Sequence, residues 1–506
     1  MHTLTHKNQI SIIAVIAMTI LVLFACEERD YNTDASAHLW FSTDTLSFDT
    51  VFTSIGSATL YFKVYNKYDQ DLEIDEIRLE NGASSNFRIN IDGASELSVN
   101  NKLLRKQDSM YIFVDVNVDP NDTSTPFLIE DQILFNTNGL EQSVILQAYG
   151  QDAYHITLGE WGGIGYQIDE ETGDTVFMGV TLNHDTTLYA DKPYYLHDDF
   201  VVNQNVSLQL EAGVQFFIEK DKSIYVLGSL KSNGSLENPV VFRGDRLDDL
   251  FTDVPYDKVP GQWGVIALQS SSYDNYFKHT HIRNGLIGLY VDSLSVNEQA
   301  KVKLENCRIE NMSSAAIYSL YGDIEAENCL FANCEQYVLG VSAGGKYAFT
   351  NCTFGNHYDW GGHTDPSVVL TNYYIYNDEI IPIPLLQADF TNCIISGTAS
   401  SELSLSNTDE DGVEIDADFN FSFKNCLIKA DLSEIDTSAT SFEQIIWNED
   451  PLFISPADDW DFHPDTLSPV IDRGRTTHLS SDLNEIPYTG APDIGAFEYI
   501  GSSDEE

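Results

Sequence analysis

Asn306-Cys307-Arg308-Ile309-Glu310-Asn311 returns 22 residues later as Asn328-Cys329-Leu330-Phe331-Ala332-Asn333, and 23 residues after that as Asn351-Cys352-Thr353-Phe354-Gly355-Asn356. The core recurs as Asn392-Cys393-Ile394-Ile395-Ser396-Gly397 and Asn425-Cys426-Leu427-Ile428-Lys429-Ala430, at steps of 41 and 33 residues. A sixth copy, His279-Thr280-His281-Ile282-Arg283-Asn284, has Thr in the cysteine slot. Positions i and i+2 of a strand share a face, so each Cys and the Ile or Phe two residues on point the same way, inward. A period of 22 to 23 residues fits one coil of a parallel β-helix, whose stacked coils set equivalent residues about 4.8 Å apart. The predicted ladder is Asn306, Cys307, Ile309, Asn328, Cys329, Phe331, Asn351, Cys352, Phe354, Asn392, Cys393, Ile395, Asn425, Cys426 and Ile428. Its asparagines can hydrogen-bond within the turns and along the stack. No coil buries its apolar face alone, so several must stack. The longer steps predict one missing or degenerate coil and surface insertions such as 403–418.

Upstream, 206–217 (VSLQLEAGVQFF), 223–230 (SIYVLGSL), 239–243 (PVVFR) and Trp263-Gly264-Val265-Ile266 read as short strands broken by Gly or Asn. This succession resembles right-handed parallel β-helix proteins of the pectate-lyase-like superfamily, especially surface lipoproteins of Bacteroidota, over about residues 188–500. Ser468-Pro469-Val470-Ile471-Asp472 with Asp493-Ile494-Gly495-Ala496-Phe497-Glu498 resembles the terminal motif of that group, lacking the Arg usual before the last Asp. That end is expected to cap the last coil, since an open apolar edge invites aggregation. The fold hosts lyases, hydrolases, adhesins and inert scaffolds, so the resemblance implies architecture and not activity.

From about residue 38 to 150 the apolar pattern alternates with period two: 59–65 (TLYFKVY), 72–79 (LEIDEIRL), 110–118 (MYIFVDVNV), 131–135 (DQILF) and 143–148 (SVILQA). Turn signals such as Asn81-Gly82 and Asn138-Gly139 separate these runs. Strands of this length and spacing predict a β-sandwich, and their order resembles hydin-type immunoglobulin-like domains. The segment shows no cluster of His, Cys or converging carboxylates, so a spacer or docking role is expected.

The N-terminus carries an apolar run from Ile10 to Phe24 after Lys7. Fifteen helical residues rise about 22 Å, short of the roughly 30 Å hydrocarbon core, so a signal peptide is the better reading. Leu23-Phe24-Ala25-Cys26 resembles the lipobox of bacterial lipoproteins, and Glu27-Glu28 resembles the signal that exports Bacteroidota lipoproteins to the outside of the outer membrane. The resemblance implies a lipidated Cys26 and an outer-membrane, outward-facing address. The expected organisation is therefore all-β: leader 1–25, lipidated cysteine and tether 26–37, immunoglobulin-like sandwich 38–150, connector 151–187, right-handed parallel β-helix 188–450, cap 451–500 and acidic tail 501–506.

Charge narrows the function. The 506 residues hold 79 Asp+Glu against 26 Lys+Arg, a net charge of −53, so nucleic acid is excluded as a partner. Basic residues on the coils are few: Lys278, Arg283, Lys301, Lys303, Arg308 and Lys346. A uronate chain would meet a negative surface, which disfavours lyase action. Acid-rich loops 245–257, 409–418 and 458–465 make calcium the one ion to consider; no cofactor is otherwise expected. Stacked cysteines do not surround a tetrahedral point, which disfavours zinc at Cys329 and Cys334; free thiols are favoured over disulfides. His279 and His281 are predicted to face outward as a pair, open to a metal, a sugar or solvent. Gly361-Gly362-His363-Thr364-Asp365 is the most enzyme-like string, pairing a proton-transferring His363 with Asp365. The expected function is a cell-surface binding or scaffold subunit contacting outer-membrane proteins or glycan, with a polysaccharide-active enzyme as the alternative. Trp360 and Tyr373-Tyr374-Ile375-Tyr376 are candidate contact aromatics.

Overall fold

The computed structural model describes residues 30–119, 126–157, 161, 163–168, 175–251, 254–295, 299–377, 379–409 and 411–501. The leader, Cys26 and all but the first residue of the acidic tail lie outside the described residues. The chain is all-β and forms two compact units, Met1–Asp152 and Ala153–Glu506.

The first unit is a sandwich. One sheet runs Trp40–Phe41, Leu60–Tyr65, Ser109–Val116, Phe87–Ile91; the other runs Thr45–Phe52, Leu140–Gln151, Phe127–Thr137, Leu72–Leu79, Ser98–Leu104. Neighbours are antiparallel except Thr45–Phe52 beside Leu140–Gln151. Alternation sorts Met110, Ile112, Val114 and Val116 into a core shared with Ile74, Ile133 and Leu146 of the other sheet. Asn138 and Gly139, at φ 51° and 82°, make the tight turn that pairs Thr137 with Leu140. Both positions need positive φ, which Asn and Gly tolerate best.

The second unit is a parallel β-helix of three sheets, with eleven, ten and ten strands among the described residues. The eleven-stranded sheet contains the Asn-Cys motif. Its inward column is Ile282, Ile309, Phe331, Phe354, Ile395, Ile428 and Trp447, in register from coil to coil. In the ten-stranded sheet that begins at Thr186–Leu188, Phe349, Phe390, Phe423 and Phe442 stack at centroid spacings of 5.0, 4.6 and 5.4 Å.

The motif's chemistry lies at the corner. Asn306, Asn328, Asn351, Asn392 and Asn425 all hold φ between 50° and 54°, a left-handed conformation that Asn adopts more readily than other side-chain-bearing residues. The carbonyl before each corner asparagine accepts the corner amide of the preceding coil, and the thiol of the residue after the asparagine donates to it as well. Cys307, Cys329, Cys352, Cys393 and Cys426 reach the carbonyl two residues back at 3.2–3.4 Å. Thr280 repeats the bond with its hydroxyl, to Lys278 O at 3.1 Å, which explains Thr in the cysteine slot. All six described cysteines are free and buried.

Three expectations change. No coil is missing at the long steps, because Thr353 pairs directly with Ile394 and Ile394 with Leu427. The extra length is surface insertion: the segment after Asn356, the hairpin Tyr373–Tyr376/Glu379–Pro382, and residues after Ser406, since Leu403–Ser406 is itself a rung strand. The stretch 151–187, expected as a connector, already supplies rung strands at Tyr154–Ile156 and Thr186–Leu188. Such three-residue strands are too short to show a period. Residues 451–500, expected as a cap over the last coil, run instead along the flank of the motif sheet, where they cover apolar side chains that face outward. Phe462, Leu483, Ala496 and Phe497 pack on outward Leu330 and Ala332, and Val470 and Ile494 pack on outward Ile394 and Leu427. A second row of bonds fastens this flank to the corner asparagines. Asn306 donates to Leu483 O, Asn328 to Ser481 O, Asn351 to the Tyr488 hydroxyl, Asn392 to Arg475 O and Asn425 to Arg473 O. Asp493, buried, accepts the Asp472 and Tyr499 amides at 2.7 Å each and joins the two halves of the terminal motif without an arginine.

Candidate functional site

The structure separates the histidine pair. His279 occupies the corner slot, at φ 40°, and lies buried with Nε2 2.9 Å from Glu485 Oε1 of the C-terminal flank. His281 points outward from the strand, where burial and the nearby Arg308 and Arg283 push its pKa down to about 3. The expected exposed two-imidazole face therefore does not form, because the corner turn and the flank cover it. Among the described residues no group of three or more His, Cys, Asp or Glu is placed to hold a metal ion.

His363 also turns inward. Its side chain is fully buried, 3.3 Å from the equally buried Glu402 of the next coil, while Asp365 is exposed. Glu402 further accepts the Ser367 hydroxyl and amide and the Ala399 amide. Serine and histidine both bind the carboxylate, leaving no nucleophile–base contact. This is a clamp that ties the insertion after Asn356 to the coil, and it corrects the His363–Asp365 reading.

The acid-rich loops spend carboxylates on protein donors. Asp257 pairs with Arg243 and Arg283 at 3.0 and 3.1 Å, Asp248 pairs with Arg246, and Asp409 accepts the Asp411 and Val413 amides. Lys301 is buried, with its ammonium bonded to the carbonyls of Gln269, Ser270 and Asp292. Sequence alone places it among scattered surface charges.

Among the described residues, open grooves on the β-helix unit include the following two. The first, about 510 Å³, is lined by Lys278, Lys303, Glu305, Glu327, His478 and Glu485 among others. Glu305 and Glu327 are rung neighbours, the kind of pair that glycoside hydrolysis uses. They are engaged already. Lys303 reaches them at 2.8 and 3.3 Å, Tyr276 donates to Glu305 at 2.6 Å, and His478 bonds Glu327 at 2.8 Å. Burial alone would raise the Glu305 carboxyl, but Lys303 and the Tyr276 hydroxyl hold it below its ordinary value. A general acid needs the opposite shift.

The second groove, about 400 Å³, is lined by Val254, Pro255, Lys258, Asp359, Trp360, Ala457, Asp458 and Trp460. Trp360 was legible as a contact aromatic; Trp460 was not, because its partner residues lie a hundred positions away in sequence. Trp460 sits at φ 55° and packs against the Leu330–Phe462 cluster, whereas Trp360 is 39% exposed. The other candidate aromatics form an exposed hairpin, with Ile375 and Tyr376 outermost. On the sandwich, Tyr61, Tyr111 and Phe113 form an exposed trio with centroids 5.3–5.9 Å apart and Lys63 over Tyr111. They are the outward members of the alternating strands.

Residues 292–433 match the family model described as a right handed beta helix region. No curated protein matches the chain. Among solved structures, the chain is similar to the catalytic unit of an α-1,3-glucanase from Streptomyces thermodiastaticus, at 11% identity and TM-score 0.31 over 76% of each chain. A human ASH/PapD-like domain aligns at 10% identity and TM-score 0.16, over 24% of this chain and 87% of that one. A family 123 glycoside hydrolase from Clostridium perfringens aligns at 8% identity and TM-score 0.17, over 23% of this chain; the chain spans 27% of that hydrolase.

Proposed function

We propose that the protein is a non-catalytic binding subunit, displayed on the outside of the outer membrane from a lipid anchor at Cys26, whose β-helix flank contacts glycan or protein. One contrast carries the reading: the rung-neighbour acids Glu305 and Glu327 are held by Lys303, Tyr276 and His478, while the groove of Trp360 and Trp460 is open. Exposed aromatics in a preformed concave site are the usual anchors of recognition. The anchor and address rest on the Leu23-Phe24-Ala25-Cys26 string and Glu27-Glu28.

The test has two arms. Metabolic labelling with a fatty-acid analogue should mark the protein and fail to mark Cys26→Ala, with surface protease removing the wild type from intact cells. The native protein, solubilised from membranes in mild detergent, should carry a stoichiometric outer-membrane partner or retain glycan. Recovery of the protein alone, without glycan, contradicts the reading.

A further inference from the structure

We infer that the groove between Trp360 and Trp460 binds an uncharged saccharide chain, with Trp360 as the stacking platform and the Asp359 and Asp458 carboxylates as hydroxyl acceptors. This rests on the binding reading above and names the ligand class at that site.

The groove is built from three segments far apart in sequence, and each is fixed to the rungs. Asn311 donates to Lys258 O at 2.8 Å, Asn333 donates to Pro456 O at 3.0 Å, and the His357 amide donates to Asn333 Oδ1 at 2.9 Å. Lys258 Nζ then bridges to Asp458 O at 2.6 Å, tying the first segment to the third. Asn311 and Asn333 are left-handed corner residues of successive coils. The walls are therefore tied to the rungs by these hydrogen bonds, which reduces the ordering cost left for binding. Trp460 holds a left-handed backbone that residues with a Cβ disfavour, and its ring is backed by the Leu330, Ala332 and Phe462 cluster.

The lining selects among ligands. Two indoles line the groove. Asp359 and Asp458 are exposed, and neither carboxylate has a hydrogen-bond partner among the described residues. A purely apolar ligand would strip water from these carboxylates and give nothing back. A polyanion would meet both carboxylates within a chain of net charge −53. A cation would meet the Lys258 ammonium on the same wall. A neutral sugar satisfies every group: its C–H face covers an indole and its hydroxyls donate to the carboxylates.

Isothermal titration of the full-length protein in detergent tests this, using hexamers of β-1,3-glucose, β-1,4-glucose, mannose and xylose, with a galacturonate hexamer as charge control. At least one neutral hexamer should bind, galacturonate should not, and Trp360→Ala should weaken binding about tenfold or more. Asp458→Asn should weaken it less, and both variants should keep the wild-type melting curve, since both side chains are exposed. Absence of binding by all four neutral hexamers, tighter binding of galacturonate, or affinity unchanged in Trp360→Ala overturns the inference. A protein partner recovered stoichiometrically in that case leaves the binding reading standing and removes only the saccharide.

Discussion

In the sandwich, strands such as Ser109–Val116 alternate, with Met110, Ile112 and Val114 inside and Tyr111 and Phe113 in solvent. In the motif sheet of the β-helix, Cys329, Leu330, Phe331 and Ala332 are all buried, as are Cys393, Ile394 and Ile395. The first sheet keeps one face wet. The second is covered on both faces, inside by the rungs and outside by the C-terminal flank. The two regions also hold register differently: hairpin turns such as Asn138-Gly139 set it in the sandwich, and left-handed corner asparagines reset it on five successive coils of the helix, Asn306 to Asn425. A flank sewn to those corners leaves only chosen grooves open, which is how a regular stack acquires a site.

The comparison can be broken at the inner stack. Phe390→Ala should cost about 3–5 kcal/mol, and amide protection should fall in the rungs of Phe349 and Phe423, its stacking neighbours. Phe135→Ala in the sandwich should cost a similar amount, spread over the core it shares with Phe41 and Phe62. Denaturant unfolding with hydrogen exchange distinguishes the two patterns. Next in size, Lys301→Met should destabilise by about 2–4 kcal/mol in the same unfolding assay, because three buried carbonyls lose their donor.

The stitching to the flank gives two smaller effects. Asn351→Ala loses the bonds to Tyr488 and Asn392 and the tolerance for φ 53°, for about 2 kcal/mol. Asn351→Gly keeps the turn and should recover roughly half of that. The flank should also loosen as pH rises. Burial, with Asp493 and Asp482 nearby, raises the Glu498 carboxyl to about 7, and burial raises Asp482 and Asp493. A raised carboxylate binds more protons folded than unfolded, so the Glu498 contribution is complete below about pH 4.5 and is lost on passing pH 7. Proteolysis within 473–499 should be slower at pH 5 than at pH 8. Smallest of all, Cys352→Thr should cost under about 1 kcal/mol by thermal melting, since Thr280 already serves that slot.

Most of the architecture was legible because it repeats. Six copies of one corner identify inward columns, and Asn138-Gly139 announces its hairpin. The flank was harder. Its signal was present in Cys-Leu-Phe-Ala and Cys-Ile-Ile, runs apolar on both faces where a wet sheet would alternate, but nothing local says which segment covers them. His363 resisted for the same reason: its partner Glu402 arrives from the next coil, and Asp365 is merely the nearer acid in sequence. Trp360 could be named as a contact aromatic, whereas a groove needs Trp460 and Lys258, brought together only by the stack.

On the proposed function, the β-helix flank binds its ligand without turnover. Incubating the full-length protein with a panel of neutral polysaccharides, and measuring both retained ligand and new reducing ends over time, tests it most directly. Retention that falls in Trp360→Ala, with no reducing ends released, is the predicted result. Release of reducing ends that disappears in Glu305→Gln or Glu327→Gln would contradict it.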